Sequence, residues 1–229
     1  GSLGDREVDT EQTGNGITPI LGLNFSPNDK LNIAVKYEHK TTLTLTNNTT
    51  VDDLGLFPDG QTSASDLPGI LSLGIGYTDN YWFETQLSYT MFFDEDVDWG
   101  ANVRDVAIWK DLDPTQIRAR EIDKNGYEIG LGFQFNITDK FSVSTGGLLA
   151  KPQVADSFQS DFSYANQSFT LGGGIMWKVT DQLTLDAGLL NVFYKDAEVR
   201  FVDPHAGPYN ETYTKEAFTF AVGLSYSIF

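Results

Sequence analysis

The closing stretch of the chain, AFTFAVGLSYSIF at 217–229, sorts its residues by parity. Phe218, Phe220, Val222, Leu224, Tyr226 and Ile228 share one face, and Thr219, Ala221, Gly223, Ser225 and Ser227 the other. A period of two predicts a β-strand. In a soluble sheet the polar face usually carries long charged side chains, whereas small residues of this kind suit a confined interior. The alternation recurs at 17–25, 31–40, 69–77, 81–91, 127–135, 141–149, 169–177 and 183–193, which makes about nine segments. Each is close to the roughly 9–11 residues that a tilted strand needs to cross a bilayer. In YEIGLGFQF the outward set is Tyr127, Ile129, Leu131, Phe133 and Phe135, against Glu128, Gly130, Gly132 and Gln134. Aromatic residues gather at segment ends, as interfacial girdles do.

The connections carry a second rhythm. SPNDK (26–30), TDN (78–80), NITDK (136–140) and VTDQ (179–182) are short and rich in turn formers, while 46–67, 94–124, 151–166 and 195–216 are long and polar. Strict alternation of short and long connections predicts an all-β fold, an antiparallel up-and-down transmembrane β-barrel, with tight turns on the periplasmic side and long loops outside. The last strand then ends at the periplasmic side. The first also runs downward, so the polar opening GSLGDREVDTEQTGNG (1–16) is expected to be the remnant of an extracellular loop. Barrels of this class close with an even number of strands, and an open edge in lipid would leave backbone groups unpaired. Residues 1–229 are therefore expected to form a single barrel domain that lacks an odd number of N-terminal strands.

Composition narrows the function. Of 229 residues 40% are hydrophobic, and no run of about 18 apolar residues could span a membrane as a helix. A net charge of −17 speaks against nucleic acid, which needs clustered Lys and Arg. The chain has no cysteine, so disulfides and thiolate metal sites are excluded. DEDVD (94–98) lacks the glycine and terminal glutamate of a calcium loop, and reads as a solvated acidic rim with no metal site. GGGIMWK (172–178) lies on a strand and forms no phosphate loop, and no cofactor motif is present. A hydrolase triad would have to use His39 or His205, the only two histidines, and no enzymatic activity is expected.

Trp82, Glu84, Glu128, Met176 and Asp186 fall on the inward parity and are the candidate lumen path. Trp82 and Met176 offer aromatic and thioether surface to a hydrophobic ligand. The three carboxylates either belong to such a path or pair structurally with cations or with a plug. In VDDLGLFPDG (51–60), Leu54, Leu56 and Phe57 form an apolar group in an otherwise polar loop. Such a group is either a ligand-capture surface or a small cap packed on neighbouring loops. The stretch 94–124 is expected to hold a short amphipathic helix around Val103, Val106 and Ala107, ended by Asp113-Pro114, with Ile108 and Trp109 near the barrel mouth.

GITPILGLNFSPNDKLNIAVKYEHKTTL, DLPGILSLGIGY and LTLDAGLLNVFYKDAEV with FTFAVGLSYSIF resemble the C-terminal part of the FadL/TodX family of outer-membrane transporters for hydrophobic compounds. The resemblance covers nearly the whole chain. It implies a 14-stranded barrel in the bacterial outer membrane, of which five N-terminal strands and a lumen-plugging hatch would precede Gly1. It also implies uptake of hydrophobic small molecules such as long-chain fatty acids, captured first in a groove between extracellular loops. The terminal aromatic strand resembles the assembly signal of outer-membrane barrels, with Phe229 out of phase with the outward set. The expected partners are membrane lipids and lipopolysaccharide, a hydrophobic ligand and the missing strands. A passive porin, or a barrel subunit docking an outer-membrane protein partner, are the alternatives.

Overall fold

The structure, a computed structural model, describes residues 6–79, 81–98, 122, 124–155, 164–203 and 207–227. One nine-stranded sheet dominates it. Its strands are β2 (Ile20–Asn28), β3 (Leu31–Glu38), β6 (Ile70–Asp79), β7 (Phe83–Phe92), β8 (Tyr127–Thr138), β9 (Phe141–Lys151), β10 (Ser168–Lys178), β11 (Leu183–Tyr194) and β14 (Glu216–Tyr226). Each falls on one of the alternating segments. They lie in chain order, every neighbouring pair is antiparallel, and the sheet is open with β2 and β14 at its edges. The result is a meandering barrel wall.

Register turns the parity of each strand into a continuous face. One row passes from Phe25 through Ile33, Ile75, Leu87 and Leu131, and then through Gly147 and Leu171 to Asn191 and Phe218. This face is not a core. Leu131 is 44% exposed at the middle of the wall, and the only buried hydrophobic residues among those described are Val97, Val199 and Tyr213, all outside the nine strands. The row beside it, on the opposite face, is Asn32, Gly76, Gln86, Gly132, Gly146, Gly172, Leu190 and Thr219. The sheet thus has an apolar outer face and an inner face of small and polar residues.

The long connections are more ordered than their composition suggests. β1 (Val8–Thr13), β4 (Thr44–Asp52) and β5 (Thr62–Ala64) form a second antiparallel sheet, and β12 (Ala197–Asp203) pairs with β13 (Gly207–Tyr213) in a hairpin. The stretch 1–16, read from sequence as loop, therefore contributes a strand to this sheet. Polar side chains join it: Gln12 Nε2 donates to Asn47 Oδ1 at 2.8 Å, Thr10 and Thr49 share a hydroxyl contact of 2.8 Å, and Asn47 is fully buried. The short turns are tighter than the sequence pattern indicates. β2 continues through Ser26 and Pro27 to Asn28, with its pairing shifted between Phe25 and Asn28, and Asn28 Oδ1 accepts from the amides of Lys30 and Leu31. An edge strand with an irregular register tolerates proline.

Asp66 ties the long-loop rim together. Its carboxylate accepts from Lys40 Nζ at 2.6 Å and from the backbone amides of Leu43 and Asp98, both at 3.1 Å. Lys40 also donates to the Asp96 carbonyl at 2.6 Å. Three connections thus meet at one buried carboxylate. The amphipathic helix expected around Val103, Val106 and Ala107, with Ile108 and Trp109, lies outside the described residues, as do His205 and Phe229.

Candidate functional site on the inner wall

The inner face is hollowed into a trough of about 1450 Å³ that runs from the turn at Ser26–Lys30 across the sheet to Thr219 and Ala221. Its floor is rich in glycine: Gly74, Gly76, Gly130, Gly132, Gly146, Gly172, Gly174 and Gly188 all line it. Polar side chains line it as well, among them Lys30, Asn32, Glu84, Gln86 and Gln134, with Leu148 beside them. Two of these glycines differ in the space behind them. A Cβ at Gly132 would meet nothing within 4 Å, whereas one at Gly146 would lie 2.8 Å from the Leu131 carbonyl oxygen of the neighbouring strand.

The candidate lumen residues distribute over three hollows and one turn. Glu84 lines the trough. Met176 and Asp186 pair across β10 and β11 and line a second hollow of about 460 Å³ nearer the short turns, with Gly223 opposite Asp186. Glu128 lines a third, of about 320 Å³, at the long-loop rim. Among the described residues, none of these three carboxylates has an ion-pair partner; the described pairs are Lys30–Asp79, Lys36–Glu38 and Lys40–Asp66.

Trp82 departs from the expectation and lines none of these hollows. It precedes β7, so strand parity does not place it, and its ring lies 5.6 Å from that of Phe83 and 6.3 Å from that of Phe135. Phe83 and Phe135 belong to the outer parity and pair across β7 and β8. Trp82 therefore joins an aromatic cluster at the short-turn end, in the position of an interfacial girdle.

The loop with Leu54, Leu56 and Phe57 is built rather than loose. Asp52 accepts from the amides of Leu56 at 3.0 Å and Phe57 at 2.7 Å, Asp59 Oδ1 accepts from the Thr49 amide, and Asn47 Nδ2 donates to the Pro58 carbonyl. Gly55 and Gly60 take φ of 65° and 73°, the left-handed region that lets the chain turn twice within six residues. Leu54 is exposed, while Leu56 and Phe57 are half-buried.

The rim hollow joins Asp94, from the acidic stretch 94–98, to Asn166, which no sequence pattern singled out. Asn166 lines it, is 8% exposed, and donates through Nδ2 to the Tyr213 carbonyl at 2.9 Å. Asp94 also lines it and accepts from the Gly126 amide at 3.0 Å. Burial pushes the Asp94 carboxyl above its ordinary range despite that hydrogen bond. Asp66 behaves oppositely: burial raises it, but Lys40 and the amides of Leu43 and Asp98 outweigh burial and hold it below the usual carboxylate range. His39, the described member of the histidine pair, faces the Tyr37 hydroxyl at 3.2 Å.

No protein-family model matches the chain, and no curated protein sequence matches it. Solved structures do match. A FadL homologue from Pseudomonas aeruginosa aligns with a TM-score of 0.62 and 14% identity, over 90% of this chain and 51% of that one. The toluene transporter TbuX from Ralstonia pickettii aligns with a TM-score of 0.48 and 13% identity, over 92% of this chain and 48% of that one. The chain spans about half the length of these structures. At such identity the likeness concerns fold: the nine-stranded open wall has the architecture of part of a FadL-like barrel.

Proposed function

We propose that this wall forms part of a bacterial outer-membrane channel for uptake of hydrophobic small molecules, long-chain fatty acids among them. The observation that carries the reading is an apolar outer band backed by a glycine-floored trough of about 1450 Å³. An exposed apolar band bounded by aromatic residues suits hydrocarbon, with membrane lipids against it and lipopolysaccharide around the long-loop rim. An inner wall in which glycines leave room between scattered polar side chains suits a ligand held by shape, with a few polar contacts fixing its orientation. The FadL-like fold adds support by analogy. In this reading Leu54, Leu56 and Phe57 capture ligand at the rim, Glu84 and Met176 flank its path, and Glu128 and Asp186 stand at the two ends. Further strands of the same barrel complete the wall along β2 and β14.

Native mass spectrometry of the purified full-length protein tests the reading. A co-purifying fatty acid or similar amphiphile, displaced by added oleate, is the expected result. Neither ligand nor oleate binding in a correctly assembled barrel would defeat it. A passive porin is the second reading, favoured by the absence of cation partners for Glu84, Glu128 and Asp186 among the described residues. It requires a steady, cation-selective conductance in planar bilayers.

A further inference from the structure

The hydrogen bonds beside the trough fix the orientation of one of its side chains. Asn136, at the short-turn end of β8, donates through Nδ2 to the Tyr81 carbonyl at 2.6 Å, and a carbonyl can only accept. Asn136 Oδ1 is therefore the acceptor for its other neighbours, Ser142 Oγ at 2.7 Å and Gln134 Nε2 at 3.2 Å. Gln134 has to donate there, and its own Oε1 is left without a donor among the described residues. Glu84 stands directly opposite Gln134 across β7 and β8, and residues so paired have Cβ atoms about 4.5–5.5 Å apart. Its carboxylate has neither a hydrogen-bond donor nor an ion-pair partner among the described residues. Both side chains line the trough and are only half-buried, so a ligand in the trough can reach both acceptors.

Space and charge select the occupant. Gly132 precedes Gln134 on the same face, and a Cβ there would meet nothing within 4 Å, so a headgroup has room beside the two acceptors. Lys30, the one lysine or arginine that lines the trough among the described residues, sits in the turn at its end and is held by Asp79 at 3.2 Å. A carboxylate headgroup would meet a like charge at Glu84. A hydroxyl brings one donor, whereas an ammonium brings three together with a positive charge, and charge-assisted hydrogen bonds are roughly twice as strong as neutral ones. We propose that Glu84 and Gln134 form a headgroup site that selects, among hydrophobic compounds, those that carry a protonated amine. The chain of the ligand lies along the glycine-rich floor, and its nitrogen donates to the Glu84 carboxylate and to Gln134 Oε1. The proposal rests on the channel reading above and deepens it: fatty acids enter by their chains, and the amine of equal length binds more tightly.

The test is calorimetry on the full-length protein in phosphatidylcholine nanodiscs, with empty nanodiscs subtracting partition into lipid. Decylamine, decanol and decanoate share one chain, and at neutral pH the first is cationic and the last anionic. Decylamine is expected to bind about tenfold more tightly than decanoate, with decanol between them. Glu84→Gln, close to the original in size, should bring the three within about twofold of one another. Gln134→Met removes Oε1 at similar length and should weaken decylamine while decanoate is unchanged, which keeps the test decisive should Glu84→Gln fail to assemble. Asp181→Asn removes an equal charge from an exposed short turn outside the trough and should leave the order as it is, which separates the site from the general attraction of an acidic chain for cations. Decanoate binding as tightly as decylamine would overturn the proposal and leave the channel reading in place, as would a preference for decylamine that ignores both trough variants. Binding of none of the three by an assembled barrel would remove the channel reading and the proposal with it.

Discussion

Gly132 and Gly146 face each other across β8 and β9, yet they are glycines for different reasons. Gly132 has open space where a Cβ would stand, and Gly146 has the Leu131 carbonyl at 2.8 Å. Gly132→Leu is therefore expected to assemble normally, as judged by heat-modifiable gel mobility, and to cut ligand uptake by narrowing the trough. Gly146→Ala should instead lower barrel stability with little added bulk. Asp66 sets a second residue-level expectation. Its folded pKa is depressed, so its stabilising contribution is complete above the unfolded carboxylate value of about 3.9 and is lost as pH falls through the lower, folded value. Asp94 has the opposite sign: its raised pKa means that acidification relieves a burial cost. Hydrogen exchange at the Leu43 and Asp98 amides should accelerate in Asp66→Asn at neutral pH, by the loss of about 1.5–3 kcal/mol from charge-assisted hydrogen bonds. Unchanged exchange would show that the clamp does not hold the rim. Neither Asp66 nor Asn166 could be read from sequence, because each acts through partners 23 to 47 positions away. Trp82 misled the parity reading because it belongs to a turn, where alternation carries no directional information.

Strands that separate apolar from small residues announce themselves, and all nine wall strands do so. β1, β4 and β5 do not, since TLTNNTTVD is polar on both parities and its sheet is joined by amide and hydroxyl contacts. The one available signal was the β-propensity of threonine. Face assignment makes a direct prediction for the wall. Cysteines at Leu131, Leu185 and Leu224 should react only with lipid-soluble reagents, and those at Gly132, Asp186 and Ser225 with small polar ones. Equal labelling of the two sets would contradict the face assignment. Depth can be read the same way, because Leu131 lies mid-wall while Leu185 pairs with Trp177 toward the short turns. An arginine at Leu131 should cost about 2–4 kcal/mol in a bilayer unfolding assay, and one at Leu185 clearly less.

At the scale of the molecule, the rim and the wall are separable. Replacing Leu54, Leu56 and Phe57 together with serine should weaken capture of a long-chain fatty acid while heat-modifiable mobility is kept, because none of the three belongs to the nine-stranded sheet. Full binding in that variant would assign the cluster to loop packing alone. The wall itself has no hydrophobic interior, and most of its large apolar residues lie on one exposed side. In water such a sheet has nothing to bury, so on the proposed reading the energy that fixes its strands comes from surrounding hydrocarbon, and the bilayer is in effect the other half of the fold. Its thermodynamic stability is thus a joint property of chain and lipid that changes with acyl-chain length at constant sequence. On the proposed membrane reading, the unassembled chain carries the same apolar band with nothing to cover it, and its tendency to associate in water lasts until lipid takes the place of solvent.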